Sequence, residues 1–229
     1  MGLDILHMEV YYISTMETSL PDSHNITTHR QARAQTREML RRNAVDTASQ
    51  LLMNEGPAAI TVRRIAQELD CSTKVIYTLF GGKDGLANEL YREGLARLRH
   101  ALGQVPPVED PTRYLTAIGW AYWEFAIANP SYYGVMFGGA IPDFTPNQAS
   151  KASMHAVLAE VVQTLRHSMD RGLIASGDPT LIARSLWLLL HGIASLKLAG
   201  HFSDPESGQT LLGFSLDALL AGLLRNREQ

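Results

Sequence analysis

Thr61-Val-Arg-Arg-Ile-Ala-Gln-Glu-Leu-Asp-Cys-Ser-Thr-Lys-Val-Ile-Tyr-Thr-Leu-Phe80 is the stretch that decides the fold. Val62, Ile65, Ala66 and Leu69 follow the i, i+3, i+4, i+7 spacing of a short amphipathic helix, and Thr61 stands where a side-chain oxygen caps it. Asp70-Cys71-Ser72 breaks that spacing. Ser72 is then a cap for a second helix, Thr73 to Phe80, which Gly81-Gly82 ends. Two helices of about two turns, joined by a tight polar turn, have the shape of a helix-turn-helix. Neither buries a core alone, so the flanking segments must complete one. Upstream, a helix from about Gln35 to Asn54 sets Leu40, Ala44, Ala48, Leu51 and Leu52 on one face. Gly56 is placed for a left-handed cap, with Pro57 after it. Downstream, a helix from about Lys83 to Leu102 supplies Leu86, Leu90 and Leu98.

The same stretch, continued through Gly81-Gly-Lys83-Asp-Gly-Leu86, resembles the TetR family of bacterial transcriptional regulators. Thr61, Ile65-Ala66, Ser72, Ile76-Tyr77, Phe80, Lys83-Asp84 and Leu86 carry the resemblance, which spans roughly residues 36–98. It implies a recognition helix in the DNA major groove. Thr61, Tyr77 and Lys83 would then hold the phosphate backbone, and Thr73, Lys74 and Thr78 would read base edges. Ser72 at the turn and Arg41 on the preceding helix join the candidate DNA-binding residues. Bland readings stand beside these. Tyr77 could be a core residue, Thr61 is a cap first, and Arg33, Arg37, Arg41 and Arg42 could form a solvated face. Lys83 sits at a helix start, where a cation opposes the macrodipole, so phosphate contact accounts for it better than solvation does. Leu79 and Lys74 depart from the family pattern. Leu79 replaces a phosphate donor, and Lys74 replaces a small residue.

Charge is distributed to match. The 229 residues carry a formal net charge of −3, which argues against a uniformly basic coat. Residues 1–29 carry −4, residues 30–100 carry +4 from twelve bases and eight acids, and residues 101–229 carry −3. The positive zone coincides with the helix-turn-helix, where an anionic partner is expected. Hydrophobic residues at 45% and charged residues at 19% describe a globular chain with a real core. The single cysteine, Cys71, excludes an internal disulfide and reads as a small buried hydrophobe rather than a redox switch. The start lacks a signal peptide's pattern, and the apolar run Leu181–Gly200 contains Arg184, His191 and Lys197, a poor membrane span. A cytoplasmic protein without membrane association is expected.

Beyond residue 98 the apolar spacing stays helical. Gln104 to Pro111 is a Pro-rich linker. Helices follow from about Thr112 to Ala128, Ser131 to Phe137 and Asn147 to Arg171, then from Asp178-Pro179 to about Gly200 and from about Glu206 to Leu224. The expectation is an all-α protein of about nine helices. Its domains are a flexible extension at 1–33 (with a short strand conceivable at Glu9–Ile13), a three-helix DNA-binding domain at 34–98 with its motif at 61–80, and a larger helical domain at 99–229. Asn129-Pro-Ser-Tyr-Tyr-Gly-Val-Met-Phe137, together with Trp187 and His191-Gly192, resembles the C-terminal domain of such regulators named WHG. That resemblance implies a ligand cavity and a homodimer paired through the last two helices. Trp120, Trp123, Phe125, Tyr132, Phe137, Trp187 and His191 are the candidate pocket residues, although each is also a plausible core residue. The aromatic content suits a small apolar or aromatic effector.

No Gly-rich phosphate loop follows a strand, no carboxylate pair stands out, and no His, Cys or acid joins His191 at metal spacing. No catalytic residue, metal or cofactor is expected. The expected function is a ligand-responsive repressor, dimeric on a palindromic operator in double-stranded DNA and released by its effector. An activator of the same fold, or a helical small-molecule binder that has lost DNA affinity, are the alternatives.

Overall fold

A computed structural model of the chain describes residues 29–106, 108–202, 204 and 206–225. The candidate strand at Glu9–Ile13 and most of the expected extension lie outside them. The described residues contain no strand and nine α-helices. These are α1 (His29–Glu55), α2 (Val62–Glu68), α3 (Thr73–Phe80), α4 (Lys83–Gly103), α5 (Pro111–Ala128), α6 (Pro130–Phe137), α7 (Gln148–Asp170), α8 (Pro179–Leu198) and α9 (Ser207–Arg225). A 3-10 turn, Pro57–Ala59, joins α1 to α2.

Two compact units divide the chain at residue 39. In the first, the opening turns of α1 are exposed, and Thr36 donates back to the Ala32 carbonyl at 3.0 Å. The helix starts at His29, earlier than the apolar face predicts, because Arg- and Gln-rich turns have good intrinsic helix propensity without burying anything. The second unit, residues 40–229, holds the whole core.

Caps set the ends of its helices. Thr61 Oγ1 accepts from the Arg64 N–H at 3.1 Å. Asp110 and Asp178 each cap a helix that begins with Pro, and Asn147 caps α7 through the Ser150 N–H at 2.9 Å. Two expected caps differ. Gly56 has φ 82 and ψ −179, a Gly-only conformation that turns the chain out of α1 instead of the left-handed cap. Ser72 takes the extended backbone of a cap but makes no side-chain bond to α3. The Val75 N–H is satisfied by the Ser72 carbonyl at 2.9 Å, and this leaves the hydroxyl outside the helix's own bonding.

The turn between α2 and α3 is a Schellman motif. Cys71 N donates to the Ala66 carbonyl at 2.9 Å and Asp70 N to the Gln67 carbonyl at 3.2 Å, with Asp70 at φ 48. Cys71 is thereby half-buried over the end of α2, packed as the small hydrophobe expected.

α4 lies against α3 at its start and against α5, α6 and α7 along its length. At its first turn, a Cβ on Gly85 would stand 1.6 Å from the Phe80 carbonyl oxygen, so only glycine lets α3 end there. Farther along, Asn88 is a buried polar residue whose amide nitrogen and oxygen both find partners. Its amide donates to the Asp84 carbonyl at 2.9 Å, and its oxygen accepts from Asn147 N at 2.9 Å and Ser150 Oγ at 2.8 Å. α8 is long and apolar enough to cross a membrane by composition alone, yet it packs on α5, α7 and α9.

Candidate nucleic-acid interface and adjoining cavity

α3 presents two different faces. Ile76, Leu79 and Phe80 are buried against the core, while Thr73, Lys74, Tyr77 and Thr78 face outward. Tyr77 is 57% exposed, and its ring edge passes over Gly82. Thr61 and Ser72 at the helix starts and Lys83 at the start of α4 are exposed on the same motif. The Thr78 hydroxyl donates back into its own helix, to the Lys74 carbonyl at 2.8 Å.

Arg41 does not join that surface as expected. One guanidinium nitrogen donates to the Leu79 carbonyl at 2.8 Å, the other pairs with Glu89 on α4, and the group lies 5.2 Å over the Phe80 ring. A cation belongs there because the last carbonyls of α3 carry the negative end of the helix dipole. The residue ties α1, α3 and α4 together. Leu79, the departure from the family pattern, is a core residue whose carbonyl anchors this tie.

Farther along, a cavity of about 420 Å³ opens between α4, α5, α7 and α8. Its walls are Leu98 and Leu102 of α4, Ile118 and Tyr122 of α5, Met154, Val157, Leu158 and Val161 of α7, and Ala183, Leu186, Trp187 and Leu190 of α8. Exposed His155, Arg184 and Leu188 mark its mouth. Of the expected pocket residues, only Trp187 lines it.

The other six lie outside its lining. Trp120 and Trp123 lie against Gly213 and Gly208 of α9, and Phe125, although buried, borders a separate cleft between α4 and α5. Tyr132 sits beneath the Arg97 guanidinium at 4.6 Å and donates to Asp46 at 3.3 Å; burial pushes its hydroxyl up to about 12. Phe137 lies edge-on to Tyr133 and His191. Large rings tend to fill space, and the cavity is left mainly by aliphatic side chains from four helices, with Tyr122 and Trp187 as its aromatic members.

His191 stands behind the cavity wall. Its Nδ1 lies 2.7 Å from the Tyr133 hydroxyl and 3.5 Å from that of Tyr122, and Trp187 and Phe137 flank the ring. Burial lowers its affinity for a proton and raises both tyrosine hydroxyls above their ordinary value. No group of metal-binding side chains occurs among the described residues.

Comparison with known proteins converges on this architecture. Residues 44–90, which contain the helix-turn-helix, match the family described as bacterial regulatory proteins, tetR family. Residues 115–219 match the tetracyclin repressor-like C-terminal domain. The chain belongs to the TetR family of transcriptional regulators. It is similar to the uncharacterized HTH-type transcriptional regulator YobS of Bacillus subtilis (strain 168), 23% identical over 190 residues that cover 80% of this chain and 92% of that protein. A solved protein of unknown function from Rhodococcus sp. RHA1 superposes with a TM-score of 0.71 at 25% identity, over 80% of this chain and 95% of the other. The TetR-family transcriptional regulator PfmR from Thermus thermophilus shares the fold, with a TM-score of 0.62 and 22% identity over 79% and 98% of the two chains.

Within this TetR-family chain, several residues of consequence escape motif reading. Asp46, Arg97 and Tyr132 form one cluster across α1, α4 and α6, with Arg97 donating to Asp46 at 2.8 Å. The Asn88–Ser150 pair ties α4 to α7. Both join residues more than fifty positions apart, so no local spacing marks them.

Proposed function

We propose that this chain is a ligand-responsive repressor, cytoplasmic and dimeric on a palindromic operator, with residues 34–98 acting on DNA and 99–229 on effector and partner. The observation that carries the reading is the outward face of α3, where Thr73, Lys74, Tyr77 and Thr78 are exposed while the inner face is core. Thr73, Lys74 and Thr78 would read base edges; Tyr77, Lys83, Thr61 and the Ser72 hydroxyl would hold phosphates. Two such helices would need a spacing of about 34–36 Å to enter successive major grooves.

The dimer reading rests on α8 and α9. Leu181 and Leu188 on α8 are each 63% exposed and Phe214 on α9 is 72% exposed, with Leu196 and Leu211 continuing both stripes. Gly192 and Gly222 leave open space on those helices. Such faces suit pairing across a two-fold axis as a four-helix bundle. The cavity beneath would take an apolar effector that favours a subunit arrangement with the wrong α3 spacing.

A shift assay on the protein's own upstream DNA at two salt concentrations tests this. The expected result is sequence-preferring, salt-dependent binding that weakens with Lys83→Ala on all sequences alike, while Lys74→Ala changes the preferred sequence. Salt-independent or absent binding would overturn the regulator reading, and unaltered binding by both variants would overturn the contact assignments.

A further inference from the structure

The chemistry of the cavity wall restricts what can occupy it. The polar atoms behind its inner end are already used. The Tyr122 hydroxyl faces His191 and Tyr133, and the Tyr133 hydroxyl is held by His191 at 2.7 Å and Ser195 at 3.2 Å. The remaining inner wall is apolar: aliphatic side chains, the Met154 thioether and the Trp187 indole, whose N–H is directed to Tyr122. A ligand group that needs hydrogen bonds would lose them inside, so the buried part of an occupant must be apolar. No aspartate or glutamate lines the cavity, which leaves an amine or quaternary ammonium without a counter-charge.

The mouth differs. Arg184 on α8 carries the one permanent charge of the lining, with His155 of α7 on the facing side. Among the described residues, no carboxylate forms an ion pair with Arg184. At about 100° per residue, Arg184 lies about 60° round α8 from Leu181, on the side of cavity-lining Trp187. It therefore flanks the exposed leucine stripe instead of standing at its centre.

We infer that the cavity takes an amphipathic monoanion, an apolar chain or ring inside with a single carboxylate at the mouth on Arg184. The inference rests on reading the cavity as the effector site. Its size sets the ligand's. At about 30 Å³ per non-hydrogen atom, as for a water, about 420 Å³ holds ten to fourteen such atoms. A linear ten-carbon monocarboxylate is of that size.

Calorimetric titration of the full chain with decanoate, decanol and decyltrimethylammonium, each below its micelle concentration, separates tail from head. Decanoate is expected to bind at least about fivefold tighter than decanol, the ammonium weakest, with the advantage shrinking as salt is raised. Arg184→Gln should bring decanoate down to the alcohol's affinity without changing the alcohol's, and Arg184→Lys should keep most of the difference. Ala183→Phe, which fills the cavity, should abolish both, with retained folding checked by circular dichroism.

Equal affinity for carboxylate and alcohol, a preference for the ammonium, or an unaffected Arg184→Gln variant would overturn the head-group inference and leave the cavity a binding site. No binding of any of the three would overturn both. Binding of decanoate as expected, with operator affinity unchanged by it, would uphold the ligand class and overturn the effector reading.

Discussion

Arg41 and His191 are both polar residues held by the fold, and each has a measurable signature. Arg41 sits with its charge shared between Glu89, the Leu79 carbonyl and the Phe80 ring. Replacing it with alanine leaves Glu89 with only Arg92 as a partner and the end of α3 without its donor. The expected cost is about 1–3 kcal/mol, read as a lower urea midpoint, with DNA affinity falling as well because α3 loses its anchor. Retained stability with weakened, salt-sensitive DNA binding would instead mark Arg41 as a phosphate contact. His191 acts through pH. Its half-buried imidazole has a lowered pKa, so the unfolded chain takes up the proton first. The stability tied to the neutral form is complete above the unfolded value of about 6.5 and is lost as pH falls towards the lower folded value. Thermal melts between about pH 7.5 and 5.5 should show the Tm falling, and the fall should be shallower in His191→Gln. Parallel curves would remove His191 from that account. The sequence marks both residues but does not show their partners within the protein, because these lie on other helices: Glu89 for Arg41 and Tyr133 for His191.

At the level of elements, the helix-turn-helix depends on the conformation of one residue. Asp70 carries the left-handed turn that ends α2 and aims α3. Asp70→Val should cost about 1–2 kcal/mol, since a β-branched side chain tolerates that conformation poorly, whereas Asp70→Gly should be neutral or stabilising. Chemical denaturation of the two variants checks it, and equal loss in both would point to the carboxylate rather than the backbone. This element was largely readable in advance, because Thr61, the apolar spacing and the three-residue break are local signals that survive into the structure. The ends of α1 and the caps at Gly56 and Ser72 were less so. Helix propensity extends α1 beyond its apolar face, and a capping residue type does not reveal whether its hydroxyl is used. The cavity was legible only as an expectation. Aromatic residues are conspicuous in a sequence, but Trp120 and Trp123 pack on α9, while Met154, Val157 and Leu158 of α7 line the cavity.

For the whole molecule, the exposed stripes of α8 and α9 carry the main prediction. Leu188→Glu or Phe214→Glu should convert a dimer to a monomer in light scattering and lower operator affinity by at least about tenfold, since two half-sites would no longer be held together. A dimer that survived both changes would place the interface elsewhere. The distribution of indole rings makes a related coupling visible. All three tryptophans, Trp120, Trp123 and Trp187, belong to α5 and α8, and none occurs in the first hundred residues. Intrinsic tryptophan emission therefore reports on the C-terminal helices alone, and Trp187 adds a reporter on the cavity wall. Any change in that emission when DNA is added at the tryptophan-free end of the chain is a signal carried through the protein, so one cuvette and no label would measure how strongly the two ends communicate.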